Sequence, residues 1–234
     1  MDIIIFAALA VYIFVKLNKQ LGKIDDEERQ RIQENIAKQK QEFVKMAQQQ
    51  GQQVKSEEKL VVGSSSTEDQ KLFDGDSEDL VHLDQDNKDN LQLILSQSKI
   101  DYKFFISGAK SAFESVVKAF SDDKIEDVKF LLAPKVSKGF EDVIAERKNQ
   151  QQKLFTNIIS IDSAQIISAL VADGEALIMV KFISSQINYI TNDQGKVIEG
   201  KKTQINQSND IWTFKRKLKN NPNPNWLVTS VASG

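Results

Sequence analysis

The stretch Phe105–Phe120, FISGAKSAFESVVKAF, decides how the folded part of this chain is built. Its apolar residues Phe105, Ala109, Ala112, Phe113, Val116, Val117 and Phe120 recur at steps of three and four. That spacing gathers them on one side of a helical spiral. Lys103, Lys110 and Lys118, with Ser111 and Ser115, fall on the other side. A stripe this rich in Phe is too apolar to lie in water, so another layer must cover it.

The cover comes from downstream. Ser121-Asp122-Asp123 closes the helix, and Val128, Leu131 and Leu132 make a short amphipathic element. Pro134 fits the first turn of a third helix, in which Val136, Phe140, Val143 and Ile144 share a face. Strand patterns follow. Leu154–Val171 is Ile-rich, and its alternation slips at Asp162-Ser163, where a bulge would bend the sheet. Asp173-Gly174 turns the chain into Ala176–Ile190, apolar on both faces as far as Val180 and alternating beyond. After the loop Asn192–Gly195, Val197–Leu218 reads as one long strand, and Trp226–Val231 ends the sheet beyond a wide turn with Pro222 and Pro224. The expected class is α+β: three helices followed by a curved four-stranded antiparallel sheet over residues 101–234.

Upstream the composition changes three times. Residues 3–15, IIIFAALAVYIFV, carry no charge. A helix continued to Leu17 would be roughly 22 Å long at about 1.5 Å per residue, against a hydrocarbon core of about 30 Å. Bilayer thinning and snorkelling of Lys16 and Lys19 make up the difference. The Met-Asp start has no basic n-region, which argues against a cleaved signal peptide. A buried globular helix would stand about 80 residues from the domain. Residues 1–24 therefore read as a membrane anchor held by Ile3, Ile4, Ile5, Phe6, Leu9, Val11, Tyr12, Ile13, Phe14 and Val15. Lys16, Lys19 and Lys23 follow the run and Asp2 precedes it, which places the remainder on the cytoplasmic side. Residues 25–50 suit a polar helical stalk with an Asp25 cap and Gly51 at its end. The thin seam Ile32, Ile36, Phe43 and Met46 leaves open whether the stalk stands free or forms a coiled coil. Residues 51–100 hold eleven acids and five bases without sustained periodicity, and read as an acidic flexible linker. The apolar islands Leu80-Val81 and Leu91–Leu95 read as partner-binding motifs or, more commonly, as its weakly structured flanks, and His82 as exposed.

Composition excludes several functions. Cys is absent and His82 is the single histidine, so thiol chemistry, Cys-ligated zinc and a site of several His are ruled out. Residues 101–234 carry fifteen acids and eighteen bases, too balanced for a nucleic-acid surface. No cofactor motif or Gly-rich phosphate loop is present.

Within the folded half, Phe105-Ile106-Ser107-Gly108-Ala109-Lys110-Ser111-Ala112-Phe113-Glu114 resembles the opening signature of the C-terminal domain of the mitochondrial inner-membrane translocase subunit forty-four family. Leu131-Leu132, Phe140–Ile144, Arg147, Val180-Lys181-Phe182 and Asp193-Gln194-Gly195 continue the resemblance. So do Asp210-Ile211-Trp212-Thr213-Phe214 and Pro224-Asn225-Trp226-Leu227-Val228, which are specific in combination. The Met-Asp-Ile-Ile-Ile-Phe-Ala-Ala-Leu-Ala start is similar to the bacterial, TimA-type branch and lacks an Arg-rich transit peptide. The resemblance implies a cone similar to nuclear transport factor two, with an apolar cavity. It also implies a membrane-side adaptor: mitochondrial members link the import channel to a seventy-kilodalton heat-shock chaperone and contact anionic lipid. The segments that bind those partners lie mostly outside the shared domain, so a protein partner is implied here but not its identity.

Candidate site residues fall into three groups. Phe113, Val117, Phe140, Ile144, Phe182, Trp212 and Phe214 would line an apolar pocket or fill the core. Lys215, Arg216, Lys217 and Lys219 form a basic cluster suited to anionic lipid or to a solvated strand end. Asp162, Asp210, Tyr102 and Tyr189 are the groups an enzyme on this fold would need inside it, with both acids expected at a turn or an edge. The domain has no histidine to serve as acid or base, and no catalytic set is expected. The chain thus reads as an anchored adaptor at the cytoplasmic face of a bacterial inner membrane. A lipid- or small-ligand-binding module is the alternative.

Overall fold

The computed structural model describes residues 79–218 and 225–233. The anchor, the stalk, the first part of the linker and Lys219 lie outside them. Among the described residues no helix is long and apolar enough to cross a membrane. The architecture is helices packed on an open antiparallel sheet, in the order α1 (Gln85–Ser98), α2 (Tyr102–Ser121), a 3-10 helix (Ile125–Leu131), α3 (Pro134–Asn149), β1 (Lys153–Ala172), β2 (Glu175–Thr191), β3 (Val197–Gly200), β4 (Asn206–Lys217) and β5 (Leu227–Ser233).

Helix α2 forms where the apolar stripe predicts it. The Asp101 carboxylate accepts from the Phe104 N–H at 2.7 Å and caps the first turn. Phe105, Ala109, Phe113, Val116 and Phe120 are buried. At the far end Asp123 takes a left-handed φ of 58°, which turns the chain into the 3-10 helix. Helix α3 begins with Pro134 in its first turn and buries Val136, Phe140 and Ile144.

Two expectations are corrected. Residues 79–98 are part of the packed domain and not of a flexible linker. The Asp84 side chain accepts from the Asn87 N–H at 2.8 Å and opens α1, and Leu91, Ile94 and Leu95 then share one helical face. With Leu80 and Leu83 they are buried. Islands too short to offset chain entropy alone are stable here because β1 supplies the other half of the contact. Second, the sheet has five strands and not four. The long strand expected over Val197–Leu218 breaks after Gly200, whose φ is +73°. A Cβ there would lie 2.3 Å from the Asn188 carbonyl oxygen, so only glycine fits this backbone approach.

The sheet order is β1-β2-β4-β5, all antiparallel, with β3 also on β2. β1 pairs with β2 from Lys153↔Thr191 to Ala172↔Glu175 and so occupies one whole side of it. β3 and β4 must then share the other side, β4 beside residues 175–186 and β3 beside 189–191. β1 slips register three times, once between Ile161 and Ser163, where the bend was expected.

Both outer strands have unpaired backbone groups answered by side chains or loops. On β1, Asn87 Oδ1 accepts from the Ala169 N–H at 2.8 Å, and His82 Nε2 lies 2.7 Å from the Ile166 carbonyl oxygen. Farther along, Ser121 Oγ donates to the Leu154 carbonyl at 3.2 Å and accepts from the Thr156 N–H at 2.9 Å. His82 is thus exposed but bonded to the sheet edge, not a bystander in a linker. On β5 the Ala133 N–H donates to the Val228 carbonyl at 2.9 Å. Such coverage opposes edge-to-edge association.

Candidate functional site

The phase of β2 sets the chemistry of the helix-covered face of the sheet. Residues 176, 178, 180 and 182 point toward α2, because alternate residues share a face. There the rings assemble: Phe113 stacks on Phe182 at 4.6 Å and meets Trp212 at 5.1 Å, while Phe105 packs edge-on against Phe214 at 5.8 Å and Trp226 at 5.0 Å. Of the expected pocket residues, Phe113, Phe182, Trp212 and Phe214 therefore converge. Phe140 instead meets Phe120 at 5.1 Å, Ile144 is buried within the same apolar core, and Val117 is half-buried at its margin. These side chains touch one another across the interface between helix and sheet.

Beyond Phe182 the same face turns polar. Asn188 Nδ2 donates to Gln186 Oε1 at 3.2 Å, and Gln186 Nε2 donates to Ser184 Oγ at 2.7 Å. Ser208 stands opposite Ser184 and donates to Asp210 Oδ2 at 2.7 Å. Asp210 stands opposite Phe182 in the middle of β4, not at a turn or sheet edge. Burial pushes its carboxyl up to about 6, against the opposing Ser208 hydrogen bond.

The other titratable candidates are dispersed. Asp162 is exposed, and hydrogen bonds from Ser160 and Ser185 hold its carboxyl below the usual range. Burial, with the nearby Asp79 charge, pushes the Tyr102 phenol up to about 12. Tyr189 lies on the opposite face, stacked on Phe155 at 4.8 Å with Lys202 Nζ 5.6 Å from its ring centre. Among the described residues no group of three or more His, Asp or Glu is placed to hold a metal ion.

Strand alternation divides the basic cluster. Lys215 and Lys217 point to one face and Arg216 to the other. Lys215 pairs with Glu175 at 3.1 Å, while the Arg216 guanidinium lies 6.0 Å from the Trp226 ring centre. Burial lowers the Arg216 value. The three described bases are not one patch.

The sequence reading missed the groups that tie elements together: Asn87, His82, Ser121 and the row Ser184, Gln186, Asn188. For the last a signal existed, since they alternate in phase with Val180 and Phe182. The fold and site together define a helix-on-sheet domain with an aromatic core and a polar end to its helix-covered face.

The family model for the Tim44-like domain matches residues 92–233, more than half of the chain, and the chain belongs to that family. The match begins inside α1. Among solved structures the chain is similar to the crystal structure of the intermembrane space region of chloroplast protein ARC6, at 14% identity and a TM-score of 0.39, covering 55% of this chain and 95% of that one. No curated protein matches.

Proposed function

We propose that this protein is a membrane-anchored adaptor of the bacterial, TimA-type branch, which holds a protein partner or client at the cytoplasmic face of the inner membrane. Membership of the Tim44-like family carries this reading. The apolar run Ile3–Val15 followed by Lys16, Lys19 and Lys23 supports the tether and its orientation. The domain works by binding, not by catalysis. Its buried aromatic side chains are engaged with one another, and Asp210, shifted toward neutrality, has Ser208 and, among the described residues, no second acid or base as its side-chain partner. The domain would be a helix-and-sheet cone of the nuclear-transport-factor-two type, carried on the stalk.

The test is affinity capture from detergent-solubilised membranes with the full-length protein as bait, after in-cell crosslinking. A stable stoichiometric protein partner is the expected result. Recovery of the full-length chain in the soluble fraction, or of a bound lipid with no protein partner, would overturn the adaptor reading.

A further inference from the structure

The face of the sheet turned away from α2 carries an apolar patch at one end. Phe155 and Tyr189 stand opposite each other on β1 and β2 and stack at 4.8 Å. Ile187, two residues before Tyr189, shares their face. On either flank a register shift leaves one extra residue, Ile159 on β1 and Ile198 on β3. Phe155, Ile159 and Ile198 are 41%, 49% and 48% exposed, and Ile187 and Tyr189 are half-buried. A single exposed apolar residue is ordinary, whereas five on neighbouring strands mark a contact surface.

The rim of this patch is basic. Lys153 shares the face of Phe155, Lys202 Nζ lies 5.6 Å from the Tyr189 ring centre, and Lys196 and Lys201 bracket β3. All four are exposed. The same stretches, 153–157 and 187–202, hold two acids, Asp193 and Glu199, so positive charge prevails. What covers the patch must be apolar and acidic together.

Such a segment precedes the domain in the same chain. Residues 51–78 carry seven acids and three bases, and three apolar residues adjoin there once, at Leu60-Val61-Val62, behind Glu57 and Glu58. The reach also fits. His82 is bonded to the Ile166 carbonyl, and Ile166 stands opposite Val180. Tyr189 lies nine residues farther along β2, roughly 30 Å at about 3.3 Å per residue. Twenty residues separate Val62 from His82, and a connection of that length has a root-mean-square span of about 25 Å. Leu72-Phe73 lies ten residues from His82 and would have to be drawn nearly straight, since ten residues reach about 35 Å at most. A span matched to the distance gives a tethered segment an effective concentration on the order of millimolar, which a free partner lacks.

We infer that the patch of Phe155, Ile159, Ile187, Tyr189 and Ile198 is the docking site of the chain's own residues 57–62. Leu60, Val61 and Val62 cover the apolar side chains, and Glu57 and Glu58 face the lysines. Docking shortens the free tether between the domain and the N-terminal segments. An acidic, apolar segment of another polypeptide meets the same surface and competes for it. The inference goes beyond the adaptor reading and holds whatever partner the protein serves.

The natural chain has no cysteine, so introduced pairs report proximity without background. The full-length protein carrying Val61→Cys with Asn157→Cys, exposed beside Phe155, is compared with one carrying Val61→Cys with Ser111→Cys, exposed on α2. Under mild oxidation the first pair is expected to close about tenfold faster or more. Glu57→Lys with Glu58→Lys, or higher salt, brings it down toward the second. An excess of a capped peptide of residues 57–62 slows it as well, and the same peptide with Lys for both glutamates does not. Equal closure of the two pairs, or indifference to the first peptide, overturns the inference. Disulfides that form only between molecules, in a mixture of the single-cysteine variants, put a second copy on the patch and overturn it. Closure in detergent that disappears in phosphatidylglycerol vesicles assigns the patch to lipid and overturns it too. None of these results bears on which protein is captured from membranes, so the adaptor reading stands or falls separately.

Discussion

Arg147 holds a full charge where its side chain is 7% exposed, so its partners decide whether the domain is stable. Its Nη2 donates to the Phe120 carbonyl at 2.7 Å and pairs with Asp123, and the guanidinium lies 4.8 Å from the Phe120 ring centre. These contacts fasten the last turn of α3 to the end of α2. Arg147→Ala leaves the carbonyl and the carboxylate without their donor, and a loss of about 3–5 kcal/mol is expected in denaturant unfolding. Phe113→Ala removes the ring that joins Phe182 to Trp212 and should cost about 3–5 kcal/mol. Asp210 supplies a pH test. Its folded carboxyl keeps its proton up to about 6, whereas an ordinary aspartate releases it near 3.8. The folded state then binds more protons between those values, so this group lowers stability as pH rises through that window. Asp210→Asn should therefore stabilise the protein by on the order of 1 kcal/mol at pH 7.5, after allowing for the part of the side chain that water reaches. The gain should shrink toward pH 4. A constant gain across that range would contradict the burial of the charge.

At the scale of elements, α1 and its lead-in carry a whole group of buried leucines and isoleucines. Leu80, Leu83, Leu91, Ile94 and Leu95 are buried only because α1 and its lead-in lie along β1. At about 1.5–3 kcal/mol per covered aliphatic side chain, their contribution is comparable to the whole stability of a typical domain. A fragment 101–234 should fail to give a cooperative thermal transition, and a fragment 79–234 should give one. Helix α2 offers the opposite experiment. A Cβ at Gly108 would meet nothing within 4 Å, so Gly108→Ala should stabilise by about 0.5–1 kcal/mol through helix propensity alone. The helix stripe, the Pro134 start and the bulge beside Asp162 were all legible, because each depends on local spacing or on one residue's backbone preference. The break at Gly200 was not. It arises from the approach of the Asn188 carbonyl on the neighbouring strand β2, a contact that pairing creates and that no local pattern announces.

For the whole molecule, the described domain and the N-terminal 78 residues do different work in the proposed reading. Binding belongs to the first and address to the second. Deleting 1–24 should move the protein from the membrane pellet to the soluble fraction on ultracentrifugation while leaving the domain's thermal transition in place. Retention in the pellet by the truncated chain would show that the domain itself holds the membrane.

The sequence by itself determined the α+β class, the position of α2 and the family, since period, breakers and a specific run of residues all lie along the chain. It also supplied alternation in β2 beyond Val180, but alternation by itself does not say which set faces inward. Tertiary structure decided that. Ile178, Val180 and Phe182 are fixed beneath α2, and an unbulged strand cannot change face, so Ser184, Gln186 and Asn188 are carried inside and Ile183 and Ile187 outward. Packing likewise decided that residues 79–98 fold, because their apolar islands gain enough burial only when β1 is already there to receive them.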